Sequence, residues 1–173
     1  MASIPEVLND YRVYREGNNS LVGIASVEFP SEEALTVTVK GTGIAGEVEA
    51  PVTGHYGEME TKVNFTTPTE ESQKLAAGEA VAFEFMGAIQ NWNSARNDYD
   101  IIPSRYVVRG RIKSKEHGSW ESGNQVTQAI TISTTYLKVE HNDKVVREID
   151  KYAYVDKNGS TDRLEAIRSA LGM

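Results

Sequence analysis

The stretch "EALTVTVKGTGIAGEVEAPVTGHYGEMETKVNF", Glu33 to Phe65, decides the fold. At its start Leu35, Val37 and Val39 alternate with Thr36, Thr38 and Lys40. At its end Met59, Val63 and Phe65 share one parity, and Glu58, Glu60, Lys62 and Asn64 share the other. Alternation with period two is the pattern of a half-buried strand. Between the two runs, Lys40 to Glu60 holds five glycines and one proline. The expectation is a pair of strands joined by a long extended hairpin loop at about 41–57.

Working outward, the same pattern recurs. "SLVGIASVEF" (Ser20 to Phe29), "EAVAFEFMGAI" (Glu79 to Ile89), "SRYVVRGRIKSK" (Ser104 to Lys115), "VTQAITISTTYLKVE" (Val126 to Glu140) and "KVVREIDKYAYV" (Lys144 to Val155) all read as strands. The "HND" link before Lys144 has the length and residue types of a hairpin turn. Two short helices punctuate them. In "TPTEESQKLAAGE", Thr67 is a cap, Pro68 suits the first helical position, Glu70 completes a capping box and Gly78 ends the helix, which predicts about 68–77. In "DRLEAIRSALG", Asp162 caps, Leu164, Ile167 and Leu171 form an apolar stripe, and Gly172 closes the helix. A helix this short is marginal alone and must dock on the body. The fold class is therefore mainly β: an antiparallel β-sandwich or barrel with one short mid-chain helix and a C-terminal helix.

The chain has 173 residues, which fits a single domain spanning 1–173. Its net charge is −7, whereas a sequence-reading nucleic-acid module carries a basic stripe and an alkaline pI. There are no cysteines, which removes disulfides, thiolate zinc sites and a cysteine nucleophile. No apolar run approaches the roughly 18 residues of a membrane span, and no basic-then-apolar leader opens the chain. The N-x-S/T sequons at Asn18, Asn64 and Asn158 are read as chance.

Enzyme signals are sparse. His55, His117 and His141 stand far apart without metal-ligand spacing, and no catalytic, metal or cofactor site is expected. "GTGIAG" (Gly41 to Gly46) matches G-x-G-x-x-G, but a dinucleotide fingerprint must open a helix, and here "EVEAPVTGH" follows. Arg105, Arg109, Arg111, Lys113 and Lys115 share one parity, against Tyr106, Val108 and Ile112 on the other. On a strand this makes one face basic and one apolar. The basic face is either simply solvated or meets acidic groups, which are nucleic-acid phosphates or the acidic faces of Glu58, Glu60 and Glu84 in the same subunit or a neighbour, and the overall acidity favours protein. Trp92, Trp120, Tyr11, Tyr14, Tyr56 and Tyr99 read as lying in loops, where aromatic residues serve as contact anchors.

Several segments together resemble the major tail tube protein of contractile-tailed bacteriophages and R-type bacteriocins. They are "YREGNNSLVGIASVEFPS", "VKGTGIAGEVEAPVTGH", the "RGR-K" strand (Arg109 to Lys113), "TYLKVEHNDKVVREID" (Thr135 to Asp150) and the closing "NG..DRLE..R..LG" (Asn158 to Gly172). The resemblance implies a tail-tube fold and a structural, non-enzymatic role. It implies hexameric rings stacked into a hollow tube inside a contractile sheath, driven through the cell envelope and conducting DNA or ions. Closing strands around a ring removes free sheet edges. The expected partners are a second copy of the chain, the sheath protein, a baseplate initiator and a tail terminator. DNA would be met only in transit, with no stable membrane association. The expected setting is a virion tail or tail-like particle made in the bacterial cytoplasm.

On this reading the loop stacks rings through Thr42, Gly43, Ile44, Gly46, Glu47, Glu49, Pro51, Gly54, His55 and Tyr56. It is expected to be mobile in the free subunit and to order on assembly. Glu58, Glu60, Lys62 and Glu84 are the lumen-facing candidates, on strands wet on one face and apolar on the back at 37–40, 58–65, 82–85 and 127–139. Six copies at −7 each give a ring of −42, and if a good share of it faces the lumen, passing DNA meets like charge and does not stick. Arg105, Arg109, Arg111 and Lys113 form the intersubunit basic strand. The alternatives are a type VI secretion-like inner tube protein, a monomeric β-sandwich binding module, and a small hydrolase for which no His–carboxylate cluster is found.

Overall fold

The structure is a computed structural model. It describes residues 3–15, 18–21 and 25–173, side chains at 18–21 and 25 excepted. Its elements are, in order, β1 (Ile4–Arg15), β2 (Asn18–Leu21), β3 (Ala25–Glu28), β4 (Ala34–Val39), β5 (Val48–Tyr56), β6 (Glu60–Phe65), α1 (Glu70–Lys74), β7 (Ala80–Asn93), β8 (Asp98–Glu116), β9 (Gln128–His141), β10 (Lys144–Asp150), β11 (Val155–Asn158), β12 (Thr161–Asp162) and α2 (Glu165–Leu171). Ten strands form one antiparallel sheet in the order β12-β11-β10-β9-β8-β7-β1-β2, with β6 also on β9 and β3 on β6. Among the described residues β4 and β5 pair only with each other.

The long strand β9 organises the sheet. Its first half, Gln128 to Ser133, pairs with β6, and its second half, Tyr136 to His141, pairs with β10 along the same edge. The handover is a bulge. Arg109 faces Tyr136 while Gly110 faces Thr134, so Thr135 is extra. One extra residue reverses side-chain parity. Gln128, Ile130, Ile132 and Thr134 are buried before the bulge, and Leu137 after it. Gly110 is required here, since a Cβ would lie 2.1 Å from the Ser133 carbonyl oxygen.

The buried face carries Val13, Phe83, Phe85, Val108, Ile112, Ile130, Ile132, Leu137 and Ile149, with Val63 and Phe65 from β6. The sheet curls, because Phe29, just after the edge strand β3, stacks on Tyr106 of β8 at 4.0 Å and meets Phe85 edge-on at 5.2 Å. Leu75 seals the core beside α1, and Lys115 Nζ donates to the carbonyl oxygens of Gln73 and Leu75 at 2.8 and 2.7 Å. That supplies a donor to C-terminal carbonyls that a five-residue helix leaves without an intrahelical partner.

Several sequence expectations are corrected. The second half of the expected loop is a strand, because Val48, Glu49, Ala50 and Pro51 pair with Val39, Thr38, Val37 and Thr36. Pro51 is tolerated since β5 is an edge. β4 does not share the large sheet and is exposed on both faces. α1 is capped by Thr69, with Ser72 completing the box, in place of Thr67 and Glu70. Asp162 accepts from the Leu164 amide at 3.0 Å, but α2 has no side-chain cap at its own N-cap. Tyr11, Tyr14, Tyr56, Trp92 and Tyr99 all lie on strands. β1 was not legible as a strand because Pro5, Asn9 and Asp10 interrupt its alternation. Residues 22–24 of the expected 20–29 strand lie outside the described residues. The "HND" hairpin stands, with Asn142 and Asp143 at φ 51° and 59°, the left-handed pair of a tight two-residue turn.

Candidate functional site

The β4–β5 hairpin is the most unusual surface. One face carries Leu35, Val37, Val39, Val48 and Ala50, and the other Thr36, Thr38, Glu49 and Pro51. Leu35 and Val37 are 50% and 52% exposed, so among the described residues this apolar strand face is left half-open to solvent. The tip, 40–47, turns through Gly43 and Gly46 at φ 92° and 113°, a backbone region open chiefly to glycine. Ile44 at the tip is also exposed.

The hairpin's base is held by an ionic clamp. Arg147 of β10 donates to both carboxylate oxygens of Glu32, at 2.8–3.1 Å, and to the Tyr56 hydroxyl at 2.8 Å. It also pairs with Asp156, which is wholly buried. The Tyr56 hydroxyl donates to Asp156 Oδ2 at 2.8 Å. Burial opposes the Arg147 charge, but hydrogen bonds to Glu32 and Asp156 outweigh it and raise the guanidinium's pKa. Gly54 packs so tightly on Leu164 that a Cβ would lie 2.4 Å from Leu164 Cδ2. Lys151 Nζ donates to the Gly57 carbonyl at 2.7 Å. The clamp thus ties segments before β4 and at the end of β5 to β10, β11 and the residue preceding α2.

This divides the ring-stacking group. Thr42, Gly43, Ile44, Gly46 and Glu47 form the tip, and Glu49 and Pro51 the hairpin shaft. Gly54, His55 and Tyr56 sit at the base, against Ile149, Leu164 and Ile167. Arg147, Asp156 and Glu32 were missed, since residues so far apart in sequence leave no local signal.

The remaining expected residues gather on the polar face of the large sheet. Lys113 Nζ bridges Glu58 and Glu60, each at 2.6 Å. The bridge raises the lysine's pKa and lowers that of Glu58 through their hydrogen bond. Arg105 joins Glu84 at 2.5 Å to Glu140 at 3.1 Å, and the Glu84 hydrogen bond raises its pKa. Arg109 lies 4.6 Å over the Tyr136 ring, a cation–π geometry. Lys62 and Arg111 share this face in register with Thr131 and Ser133. Carboxylates and bases are therefore interleaved within one subunit.

A curled antiparallel sheet with interleaved charges on one face therefore carries a projecting hairpin whose apolar face is exposed. The family model for phage tail tube protein FII matches residues 5–172, and the chain belongs to that family. It is 25% identical over 172 residues to the major tail tube protein of Serratia phage KSP20, covering 99% of this chain and 98% of the relative. It is 27% identical over 178 residues to the tail tube protein of Escherichia phage P2, covering 99% of each. The chain is a structural protein of a phage tail tube.

Proposed function

We propose that the chain forms hexameric rings that stack into the hollow inner tube of a contractile phage tail or tail-like particle. The tube is driven through the cell envelope and conducts DNA or ions. The observation that carries this is the β4–β5 hairpin, an amphipathic strand pair left bare on its apolar face but rigidly based in the body. A monomer gains nothing from such a face, whereas an assembly buries it. The tip and shaft residues contact the neighbouring ring, and the base residues Gly54, His55 and Tyr56 aim the hairpin.

The polar sheet face bearing Glu58, Glu60, Lys62 and Glu84 lines the lumen. Arg105, Lys113 and Lys138 offset part of the charge of its carboxylates inside the subunit, and Lys62, Arg109 and Arg111 share the face, so passing DNA meets a surface of mixed charge. Arg109, which lies over the Tyr136 ring, and Arg111 reach from this face to the neighbouring subunit. The exposed face of α2, with Leu171, meets the sheath protein, and a baseplate initiator and tail terminator bound the tube.

The test is negative-stain electron microscopy of the purified protein at several concentrations, alone and with a matched initiator complex. Six-fold rings or hollow tubes are expected. A protein that stays monomeric even with the initiator overturns the proposal. Shortening the hairpin by joining Val39 to Val48 through Asn-Gly leaves the clamp intact and should abolish tubes without unfolding the subunit.

A further inference from the structure

The curled sheet leaves part of its inner face open. Beyond Phe29 lies a groove of about 390 Å³ bounded by Leu8, Tyr11, Val27, Phe29, Ile89 and Tyr106, with Gly87 also in its lining. Among the described residues no charged one lines it. Gly87 makes a notch, since a Cβ there would touch Leu8 Cδ1 at 3.0 Å. Leu8 is 50% exposed, so the groove runs out onto open sheet and suits an extended segment better than a compact ligand.

We propose that this groove receives the apolar face of the β4–β5 hairpin from a neighbouring copy of the chain. The inference rests on the tube reading above and names the surface the hairpin meets. Groove and hairpin face are both free of charge. Alternate residues on a strand lie about 6.6 Å apart, so Leu35, Val37 and Val39 form a ridge about 13 Å long. With that ridge seated, Glu49 and Thr38 on the opposite face stay in water.

The occupant is a second copy because hairpin and groove are open at once on the same chain, while the clamp fixes the hairpin's base. Each copy offers one hairpin and one groove, and the two patches differ. Such a heterologous contact does not close on itself in a pair, and copies add in series. A self-complementary patch would stop at a dimer.

The absence of cysteine makes disulfide trapping clean. Val37→Cys and Leu8→Cys, both at half-exposed positions, are prepared as separate proteins, mixed, assembled and oxidised. A disulfide between the two chains is expected in the assembled fraction. Ile101→Cys replaces Leu8→Cys as the control, because Ile101 is 57% exposed and pairs with Gln90, placing it on the face opposite Ile89. In parallel, Leu8→Asp and Val37→Asp should each raise the concentration needed for assembly tenfold or more, with unchanged circular dichroism.

Tubes in which Val37→Cys links equally to Ile101→Cys and Leu8→Cys overturn the groove assignment and leave the tube reading standing. So do tubes formed normally by Leu8→Asp, including the case where that variant only loses binding of an apolar dye. If the parent protein makes neither rings nor tubes even with the initiator, the tube reading falls and the groove assignment falls with it.

Discussion

Replacing Arg147 by methionine tests whether the clamp holds the hairpin. The substitution keeps much of the apolar stem and removes the guanidinium from a wholly buried carboxylate, Asp156. Removing one member of a buried ion pair costs about 3–5 kcal/mol. Here Asp156 keeps the Tyr56 hydroxyl at 2.8 Å and Arg163 at 3.4 Å, which brings the expected loss to about 2–3 kcal/mol. Urea unfolding of the unassembled subunit measures it. The companion Arg147→Met with Asp156→Asn removes the orphaned charge, retains an acceptor for Tyr56, and should recover at least half of the loss. Hydrogen exchange gives a local readout. The Gly57 amide, bonded to the Glu33 carbonyl at 2.9 Å, should exchange faster in Arg147→Met while the β8–β9 ladder is unchanged. A loss below about 1 kcal/mol, or a second substitution that adds to the first, would refute a clamp and reduce it to a surface ion pair.

Three other outcomes follow from the geometry. Gly54→Ala should cost about 1–3 kcal/mol by overpacking on Leu164, with added strain from φ 73°, and Leu164→Ala should relieve part of it in a double-mutant cycle. Burial, then the hydrogen bond to Glu148, pushes the Tyr136 hydroxyl up to about 12 from 10.0. The folded state therefore keeps a proton the unfolded chain has released, so this stabilisation is full below pH 10 and fades towards pH 12. Urea midpoints at pH 9 and 11 should differ less in Tyr136→Phe than in the parent. Lys115→Met, which strips α1 of its C-terminal donor, should cost about 1 kcal/mol once partial exposure is allowed for, with the same urea assay as the check.

Where the chain alternates without interruption, its strands were legible. Thr61, Val63 and Phe65 are buried and Glu60, Lys62 and Asn64 are not, as the period demanded. The same holds for Val81, Phe83 and Phe85. The sequence failed where a local rule was overruled by a partner strand. Val48 to Pro51 looked like loop because glycine and proline surround it, yet pairing with β4 satisfies its backbone. β1 looked irregular because two of its residues are bulged, and its long ladder with β7 compensates.

By itself, the sequence determined the class of the protein: antiparallel strands from period-two alternation, the tight "HND" turn, the glycine that closes α2, and the family. These are local properties, set within a few residues by backbone sterics and by which side chains leave water. Only the tertiary structure decided that Arg105 and Lys113 are matched to carboxylates of their own subunit, and that Arg147, Asp156, Tyr56 and Glu32 converge. It alone showed an apolar hairpin face and an apolar groove open to solvent among the described residues. Those facts depend on which strands lie side by side, which is a long-range choice made by the whole core, and no window of sequence contains it.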